Sequence, residues 1–476
     1  MLDKKKFYIN GKWVSPSKPN DFEVINPSTE ETCAIISLGS KEDTNAAVDA
    51  AKKAFESWKD SSKEERIKLL EKLLSIYKKR YSEMVEAIST EMGAPMDWAT
   101  DVQTATGQSH LEDFILRLKE FKFDHQFDPK SNNHICYEPI GVCGLITPWN
   151  WPINQIMSKL VFVLASGCTC ILKPSEISPL SAILIAEIID EAGTPRGVFN
   201  LVNGFGSIVG DAMSRHPEIS MMSFTGSTIG GISVAKSSAD TVKRVSQELG
   251  GKSANIILDD SSFEKSVKQG VIKCMENSGQ SCNAPTRMLV PFRRLEESFF
   301  IAKSVCNSLI VGNPQNEDTD VGPLANVKQY KKVKDLIHTG INDGAKIITG
   351  GSNRPKNIDS GYYIEPTVFA YVTEEMSIFK EEIFGPVLTI THYHDYEHAL
   401  DIANNTDYGL AAYVSGIEKK DLLKLSKRLN AGQVYINYSS GGTEAPFGGL
   451  KMSGNGREKG RWGLNEFLET KAIIGE

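Results

Sequence analysis

One cysteine of this sequence, Cys282, lies in the stretch NSGQSCNAPTR, where its neighbours are small or polar rather than apolar. Such a setting is typical of a reactive, partly exposed thiol. The alternative is that Cys282, like the other seven cysteines, is structural, because a free cysteine is most often a buried and inert side chain. Cys168 and Cys170, for example, alternate in GCTCILK, an apolar run that predicts a buried strand. The pattern therefore marks Cys282 as a candidate nucleophile.

Two glycine-rich segments follow predicted strands. In FTGSTIGG, Gly226 and Ser227 precede a predicted helix, whose free backbone N–H groups could bind an anion. In NGFGSIVG the last glycine comes one residue too late for the G-x-G-x-x-G fingerprint, so this segment fits a turn as well as a cofactor loop. Lys173 and Glu176, in KPSE, also follow a strand, where open parallel sheets bind ligands. Ordinary surface charge is the alternative for both residues.

Three histidines, His392, His394 and His398, lie close together in THYHDYEH. No cysteine or carboxylate pattern completes a recognised set of metal ligands around them, so solvated histidines are the better interpretation. The eight cysteines form no CxxC pair, which disfavours both a zinc site and a disulfide framework. We predict reduced thiols and no metal.

The composition is that of an ordinary globular protein. The chain has 476 residues, 40% hydrophobic and 24% charged, which is enough for two or three domains. A net charge of -7 and the lack of a basic stripe disfavour a nucleic-acid partner. The first residues lack the apolar core of a signal peptide, and no apolar stretch reaches the length of a membrane span. We expect a cytoplasmic protein whose partner is a small molecule, not a nucleic acid or a membrane.

The elements that must position these groups follow from apolar spacing. FYI and KWVS flank Asn10 and Gly11, a pair that favours a tight hairpin turn. Ser62 with Glu65 is a capping signal, and the apolar stripe after it predicts one helix that continues to near Gly93. An Asn-rich turn within 120–138 predicts a hairpin with no partner nearby.

From about residue 140, short apolar runs alternate with helical ones, which predicts βαβ units and a parallel sheet. The first series of predicted strands is VCGLIT, CTCILK, VFNLVN, MMSFT and ANIIL. A second series predicts another α/β domain beyond roughly residue 250, with strands RMLVP, PTVFA, VLTITHY, AAYVS and QVYIN. Two α/β lobes are expected.

Seven motifs occur together in the order TPWNWP, KPSE, FTGST, ELGGKS, NSGQSC, EEIFGPV and PFGGLKMSG. As a set they resemble the NAD(P)-dependent aldehyde dehydrogenase superfamily over nearly the whole chain. The resemblance implies an α/β fold with two Rossmann-like parallel-sheet domains, one binding the cofactor and one catalytic, plus a small β oligomerisation element. The implied bounds are 1–119 and 139–249 for the NAD-binding domain, 250–454 for the catalytic domain, and 120–138 with 455–476 for the oligomerisation element.

The resemblance also implies the chemistry, which is NAD-dependent oxidation of an aldehyde to a carboxylic acid through a thiohemiacetal and a thioester. It makes Cys282 the nucleophile and Glu248 the base that activates water. Asn150 becomes the amide donor that joins the Cys282 backbone N–H in the oxyanion hole. Because a carboxylate repels a nearby thiolate, Glu248 is expected to move or to be protonated for part of the cycle.

The implied cofactor contacts come from several motifs. They are Lys173 and Glu176 at the adenosine ribose, Trp149 and Gly206 in the cleft, Gly226 and Ser227 at the pyrophosphate, and Glu382 and Phe384 at the nicotinamide ribose. A carboxylate accepts hydrogen bonds from ribose hydroxyls but repels a 2′-phosphate, so Glu176 favours NAD over NADP.

The implied substrate pocket contains Trp151, Ser281 and Asn283. The loop NYSSGGTEAPFGG carries serine and glycine where some members of the family place bulkier aromatic residues. We therefore expect no apolar clamp and a small or polar aldehyde. The family also implies that the hairpin at 120–138 and the C-terminal FLETKAII extend a neighbour's sheet, which would give a homodimer or homotetramer.

Two other enzymatic functions stay open. A CoA-acylating aldehyde dehydrogenase would pass the thioester to CoA, although a hydrolytic base at Glu248 would waste the acyl group. A cysteine hydrolase or acyltransferase would pair Cys282 with a downstream histidine such as His338 or His398. That second alternative leaves the cofactor motifs without a role.

Overall fold

The computed structural model of the protein describes residues 1–128, 130 and 132–475. Its strands, in chain order, are β1 (Leu2–Lys4), β2 (Phe7–Ile9), β3 (Lys12–Val14), β4 (Asp21–Ile25), β5 (Thr32–Ser37), β6 (Asp124–Gln126), β7 (Asn133–Pro139), β8 (Val142–Ile146), β9 (Thr169–Lys173), β10 (Phe199–Leu201), β11 (Met221–Thr225), β12 (Arg244–Glu248), β13 (Ala254–Ile257), β14 (Arg287–Pro291), β15 (Lys346–Thr349), β16 (Thr367–Ala370), β17 (Val387–Tyr393), β18 (Ala411–Ser415), β19 (Gln433–Ile436), β20 (Gly454–Asn455) and β21 (Leu468–Ile474).

The α-helices, in chain order, are α1 (Lys41–Trp58), α2 (Lys63–Lys79), α3 (Tyr81–Met92), α4 (Met96–Trp98), α5 (Ala105–Glu120), α6 (Pro152–Ser166), α7 (Leu180–Glu191), α8 (Asp211–Arg215), α9 (Thr228–Ser238), α10 (Phe263–Met275), α11 (Leu295–Ser308), α12 (Val327–Asn342), α13 (Ser377–Lys380), α14 (Tyr396–Asn404), α15 (Lys419–Ser426) and α16 (Gly460–Glu466). Two π-helical turns, Ala99–Thr104 and Gly206–Gly210, and a 3₁₀ turn at Glu276–Gly279 interrupt this series.

The first α/β unit is built on an eight-stranded sheet in the order β20-β12-β11-β8-β9-β10-β2-β3. The strands from β12 to β10 are parallel, and the edge strands pair antiparallel. β8 and β9 are buried along their whole length, as expected for parallel strands covered on both faces. β9 and β10 lie on one side of β8, whereas the next strand in the chain, β11, lies on its other side. The strand order therefore reverses at β8. Such a switch point opens a ligand crevice at the carboxyl ends of the strands.

The second α/β unit is built on a seven-stranded sheet in the order β15-β16-β17-β14-β13-β18-β19. All neighbouring pairs are parallel except β15 with β16. The prediction of two Rossmann-like parallel-sheet units is confirmed. The run ANIIL, grouped above with the first series, forms β13 at the centre of this second sheet, and that grouping is wrong because apolar spacing does not say which sheet a strand joins.

Two predicted local structures agree with the structure and one differs. Asn10 and Gly11 both have positive φ between β2 and β3, as the hairpin turn requires. Ser62 and Glu65 form a reciprocal capping box at the start of α2. The single helix predicted to run to Gly93 is instead two helices, because Arg80 leaves helical geometry between α2 and α3 (φ -101°, ψ 20°).

The hairpin predicted in 120–138 is formed by β6 and β7, although Pro129 and Ser131 near its turn lie outside the described residues. Its partner is β21, which pairs antiparallel with β7 along seven residue pairs. The outer edge of β21 has no strand beside it among the described residues, and the Ile474 side chain is 80% exposed. The C-terminal segment therefore ends in an open, apolar strand edge.

The segment before α16 returns to the first sheet. Gly454 and Asn455 form β20 and pair with the end of β12, so the domain boundary expected between 454 and 455 falls inside a strand. No helix of the described residues is long and apolar enough to cross a membrane. All eight cysteines are free, and the described residues contain no group of three or more metal-ligating side chains.

Candidate active site

Cys282 lies where two cavities meet, since its side chain lines both of them. The first, which we call the aromatic cavity, has a volume of ≈ 440 Å³, and its aromatic lining residues are Trp151, Tyr413, Tyr435, Tyr438 and Phe447. The second, the sheet-edge cavity, has a volume of ≈ 450 Å³, and its lining residues include Trp149, Asn150, Gly226, Ser227, Glu248, Glu382 and Phe384. A reactive thiol between two chambers can meet one ligand from each side.

The backbone just before Cys282 adopts an uncommon conformation. Asn277, Ser278 and Gly279 all have positive φ, at 55°, 56° and 71°. A Cβ atom added at Gly279 would lie 2.0 Å from the carbonyl oxygen of Gly385, so only glycine fits this close approach. Non-glycine residues in the left-handed region are often found at functional sites, where surrounding contacts hold them. This turn therefore fixes where the cysteine projects.

Buried amides connect this turn to Asn150. The Asn150 Nδ2 atom donates to the Gln280 carbonyl oxygen at 2.9 Å, and Asn277 Nδ2 donates to the Asn150 carbonyl oxygen at 3.0 Å. Gln103 Nε2 in turn donates to Asn277 Oδ1 at 2.9 Å. An amide NH₂ group has two donors, and the described residues accept only one from Asn150. Its second N–H has no acceptor among the described residues, and Asn150 and Cys282 both line the sheet-edge cavity.

Glu248 is the last residue of β12, and its side chain also lines the sheet-edge cavity. Only 3% of the residue is exposed, and neither carboxylate oxygen has a hydrogen-bond partner among the described residues. Burial raises the pKa of Glu248 well above its usual range, and the nearby charge of Glu458 raises it further. Ionisation of Glu248 is therefore disfavoured relative to that of an exposed carboxylate.

Glu458 is held beside Glu248 by a buried ion pair with Lys159. The Ser158 hydroxyl donates to Glu458 at 3.1 Å and the Thr225 hydroxyl at 3.3 Å. These three contacts hold the Glu458 carboxylate in place. The two carboxylates therefore differ in their contacts, since Glu458 has three partners whereas Glu248 has none among the described residues.

The pKa of the Cys282 thiol is raised by burial, and next by the charges of Glu248 and Glu382. A thiol must lose its proton to become a nucleophile, so the raised pKa favours the protonated, unreactive form of Cys282. A positive charge placed in the sheet-edge cavity would oppose both carboxylates and lower the pKa of the thiol. Reactivity is therefore expected to depend on a cationic ligand in that cavity.

The segment carrying Glu382 and Phe384 forms one wall of the sheet-edge cavity. The Phe384 ring meets Trp149 edge to face, with ring centroids 5.5 Å apart. Gln329 Nε2 fixes this segment by donating to the carbonyl oxygens of Ile383 and Phe384, at 2.8 and 2.9 Å. The carboxylate of Glu382 accepts from the Gly251 N–H at 2.9 Å. Both residues are thus fixed in the wall of the sheet-edge cavity.

The opposite wall follows the switch point of the first sheet. Trp149 and Asn150 follow β8, and Gly226 and Ser227 follow β11. Ser227 is the N-cap of α9, and its hydroxyl accepts from the Gly230 N–H at 3.2 Å. The first N–H groups of a helix lack partners within the helix, so this end of α9 could bind an anion. These four residues therefore share one crevice at the carboxyl ends of β8 and β11.

Lys173, Glu176 and Gly206 do not line either of the two cavities. Lys173 ends β9, and its Nζ atom donates to the carbonyl oxygens of Pro174 and Gly204 at 2.8 and 2.7 Å. Glu176 lies 3.5 Å from that nitrogen. Burial lowers the pKa of Lys173, whereas the charge of Glu176 raises it. These residues lie at the carboxyl ends of neighbouring strands, so a ligand must extend beyond the cavity to reach them.

The three predicted substrate residues all line the aromatic cavity. The Trp151 Nε1 atom donates to the Ser281 hydroxyl at 2.8 Å, and Asn283 offers its carbonyl oxygen to the Tyr413 hydroxyl at 2.9 Å. The Tyr413 and Tyr435 rings stack with centroids 4.8 Å apart. The expectation of no apolar clamp came from the loop 437–449 alone, whereas the cavity is also lined by aromatic side chains from other segments. The aromatic side chains come from β18, β19 and the residues after them, and not only from the loop that follows.

Sequence reasoning missed several residues that complete the site. They are Gln103, Lys159, Asn277, Gln329, Tyr413, Tyr435 and Glu458. Asn277 alone lies within one of the motifs, five residues before Cys282. For the rest, a buried polar residue in a helix or strand gives no local signal of the distant segment that it contacts.

Comparison with known proteins supports one family. The sequence model of the aldehyde dehydrogenase family matches residues 13–473. A curated Pseudomonas protein named 3-succinoylsemialdehyde-pyridine dehydrogenase is 48% identical over 476 residues, covering 100% of this chain and 99% of that protein. The likeness thus extends over the full length of both proteins.

Solved structures agree with the sequence comparison. A crystal structure of aldehyde dehydrogenase from Bartonella henselae is 49% identical and superposes with a TM-score of 0.97, covering 99% of each chain. Aldehyde dehydrogenase C from Pseudomonas syringae, an alanine mutant of one of its cysteines, is 46% identical with a TM-score of 0.97. That alignment covers 99% of this chain and 96% of the other, and the mutant was crystallised with NAD⁺ and octanal.

Proposed function

Since this chain belongs to the aldehyde dehydrogenase family, we propose that it oxidises aldehydes to carboxylic acids with NAD, using Cys282 as the nucleophile. One observation carries this proposal: Cys282 lines both cavities, with Asn150 and Glu248 beside it in the sheet-edge cavity. The aldehyde then enters from the aromatic cavity and the cofactor from the other side. The Pseudomonas syringae mutant was crystallised with NAD⁺ and octanal, which supports NAD and an aldehyde as the two ligands.

The residues of the sheet-edge cavity fit NAD. Ser227 lies at the N-terminus of α9, where its backbone N–H can donate to the pyrophosphate, whereas the N–H of the adjacent Gly226 already donates to the Glu248 carbonyl oxygen at 3.1 Å. Glu382 and Phe384 bound its nicotinamide riboside, and Glu176 with Lys173 lies beyond the cavity, toward its adenosine ribose. When bound, NAD accepts a hydride, and its nicotinamide ring brings a positive charge near the thiol. That charge opposes the carboxylates that raise the pKa of Cys282.

Oxidation begins with Cys282. Its thiolate attacks the carbonyl carbon, which forms a C–S bond and leaves an oxyanion on the former carbonyl oxygen. The free N–H of Asn150 and the backbone N–H of Cys282 stabilise that oxyanion. Loss of a hydride from the same carbon leaves a thioester on Cys282.

Hydrolysis of the thioester requires Glu248. As a carboxylate it removes a proton from water, whose oxygen attacks the thioester carbon and breaks the C–S bond. The products are the carboxylic acid and the free thiolate. Because burial raises the pKa of Glu248, this base becomes available as pH rises, so turnover should increase with pH until Glu248 is ionised.

The alternatives have less support. Neither His338 nor His398 lines the two cavities, so neither is placed to activate Cys282 as in a cysteine hydrolase. A CoA-acylating enzyme has no use for a carboxylate base beside the thioester.

The test of the proposed function is a panel of aldehydes with NAD, NADP and CoA varied independently. NADH formed with NAD alone supports the proposal, whereas a strict requirement for CoA would contradict it.

Cofactor choice gives a separate prediction. We expect kcat/KM for NAD to exceed that for NADP by at least about tenfold, because Glu176 repels a 2′-phosphate. Glu176→Gln should narrow the ratio, since the neutral amide removes the repulsion. Glu191→Gln, on an exposed carboxylate at the end of α7, is the control and should leave the ratio unchanged. Equal kcat/KM values in the wild type would show that Glu176 does not face the ribose.

Assembly gives another prediction. The open edge of β21 and the exposed Ile474 support the proposal that this segment extends a neighbour's sheet. Deleting the residues from 466 onward should therefore lower the oligomeric mass measured by light scattering. Substituting lysine for the exposed Ile474 alone should weaken the assembly with less harm to folding. An unchanged mass in both variants would place the interface elsewhere.

A further inference from the structure

The aromatic cavity contains one lysine whose charge is not neutralised. Its charged lining residues are Lys273, Glu276 and Lys459. Lys273 and Glu276 form an ion pair, so their charges cancel. Within the described part of the chain, Lys459 forms no ion pair, so the cavity wall carries a net positive charge. That charge lies in the chamber where an aldehyde would bind.

Two carboxylates close to Lys459, Glu444 and Glu458, are already paired with other cations, whereas Glu248, whose charge also acts on Lys459, forms no ion pair with it in the described part of the chain. Glu458, the preceding residue, binds Lys159. Glu444, in the loop that Lys459 contacts, lies 3.0 Å from Arg117. Glu444 and Glu458 therefore have cationic partners of their own, and neither forms an ion pair with Lys459.

The ammonium group of Lys459 has free donors. Its Nζ atom donates to the Gly442 carbonyl oxygen at 3.0 Å and lies 5.3 Å from the centre of the Phe447 ring. An ammonium has three N–H donors, and these contacts use one as a hydrogen bond. Burial lowers the pKa of Lys459, whereas the charges of Glu458, Cys282 and Glu248 raise it. Burial lowers the pKa of His110 to about 4, and the charge of Lys459 contributes to that shift.

We propose that Lys459 selects aldehydes that carry a carboxylate at the end remote from the aldehyde group. This inference rests on the proposed function of the same cavity. With the carbonyl carbon at Cys282, the carboxylate would accept a charge-assisted hydrogen bond from Lys459, and the aromatic side chains would border the carbon chain. Further polar groups in this part of the wall are Ser439, Ser440 and Thr443.

The test compares 4-oxobutanoate with its methyl ester, which differ in charge but little in shape. We expect the wild type to prefer the carboxylate by at least about tenfold in kcat/KM. Lys459→Met, which keeps the length but removes the charge, should lower kcat/KM for the carboxylate at least about tenfold more than for the ester. Lys459→Arg should retain the preference. Arg461→Met, on an exposed cation two residues away, is the control for a general field effect.

Each outcome separates the inference from the proposed function. No NADH from either aldehyde would count against aldehyde oxidation itself. NADH from both at equal kcat/KM in the wild type would overturn the role of Lys459 alone, whether or not the variants fold. Equal losses for both aldehydes in Lys459→Met would also overturn it, because they would indicate that Lys459 acts only on the Cys282 thiolate.

Discussion

Cys282→Ala is expected to lower NADH formation by at least ~10³-fold, because no C–S bond can form without the thiol. NAD binding should survive, since most of the sheet-edge cavity is formed by other residues. Absorbance of NADH measures the first result. Quenching of tryptophan fluorescence on NAD addition measures the second, because Trp149 lines that cavity.

Cys306→Ala is the matched control. Cys306 is 4% exposed and packs in the core of the second unit, against residues of α10 and α11. Removing its sulfur should lower the thermal midpoint through lost packing while turnover is retained. Near wild-type turnover in Cys282→Ala would remove the nucleophile from the proposed mechanism.

Glu248→Gln should separate the two halves of the reaction. Thiohemiacetal formation and hydride loss do not need this base, so rapid mixing with NAD and an aldehyde should give a burst of up to about one NADH per active site. The steady state that follows should be slower than wild type by ~10²- to 10⁴-fold, the usual contribution of a general base. The rise of turnover with pH that Glu248 provides should also be lost.

Asn150→Ala provides the contrast to Glu248→Gln. Its amide stabilises the oxyanion before the hydride leaves, so the burst itself should slow, by about a hundredfold to a thousandfold. Full steady-state turnover in Glu248→Gln would mean that another group activates water. A burst of normal rate in Asn150→Ala would remove that residue from the oxyanion hole.

Local sequence patterns predicted most of the elements that position the site. The strands β8, β9 and β11 were visible as short apolar runs, and Lys173 and Glu176 after β9 were predicted to lie where a parallel sheet binds ligands. This succeeded because parallel strands end together, so residues after different strands share one crevice. Cys282 was identified as a candidate nucleophile because its neighbours in the sequence are small or polar.

Contacts between distant segments could not be predicted in this way. Lys159 and Glu458 are separated by 299 positions, and nothing near either residue indicates that they pair beside Glu248. The aromatic wall was missed because Tyr413 and Tyr435 lie in and near strands, where tyrosine normally indicates packing. The lack of an ion pair at Lys459 could not be predicted either, because it depends on Arg117 and Lys159. These distant residues pair with Glu444 and Glu458.

The central claim is that an acyl group forms on Cys282, and it is tested most directly by mass spectrometry of Glu248→Gln. The variant is mixed with NAD and an aldehyde, quenched in acid and digested at low pH. We predict the mass of the acyl group on the peptide containing Cys282, at up to about one equivalent and only when NAD is present. Fragmentation must place it on Cys282 and not on the buried Cys274 eight residues earlier. An unmodified Cys282 after a full NADH burst would contradict the account.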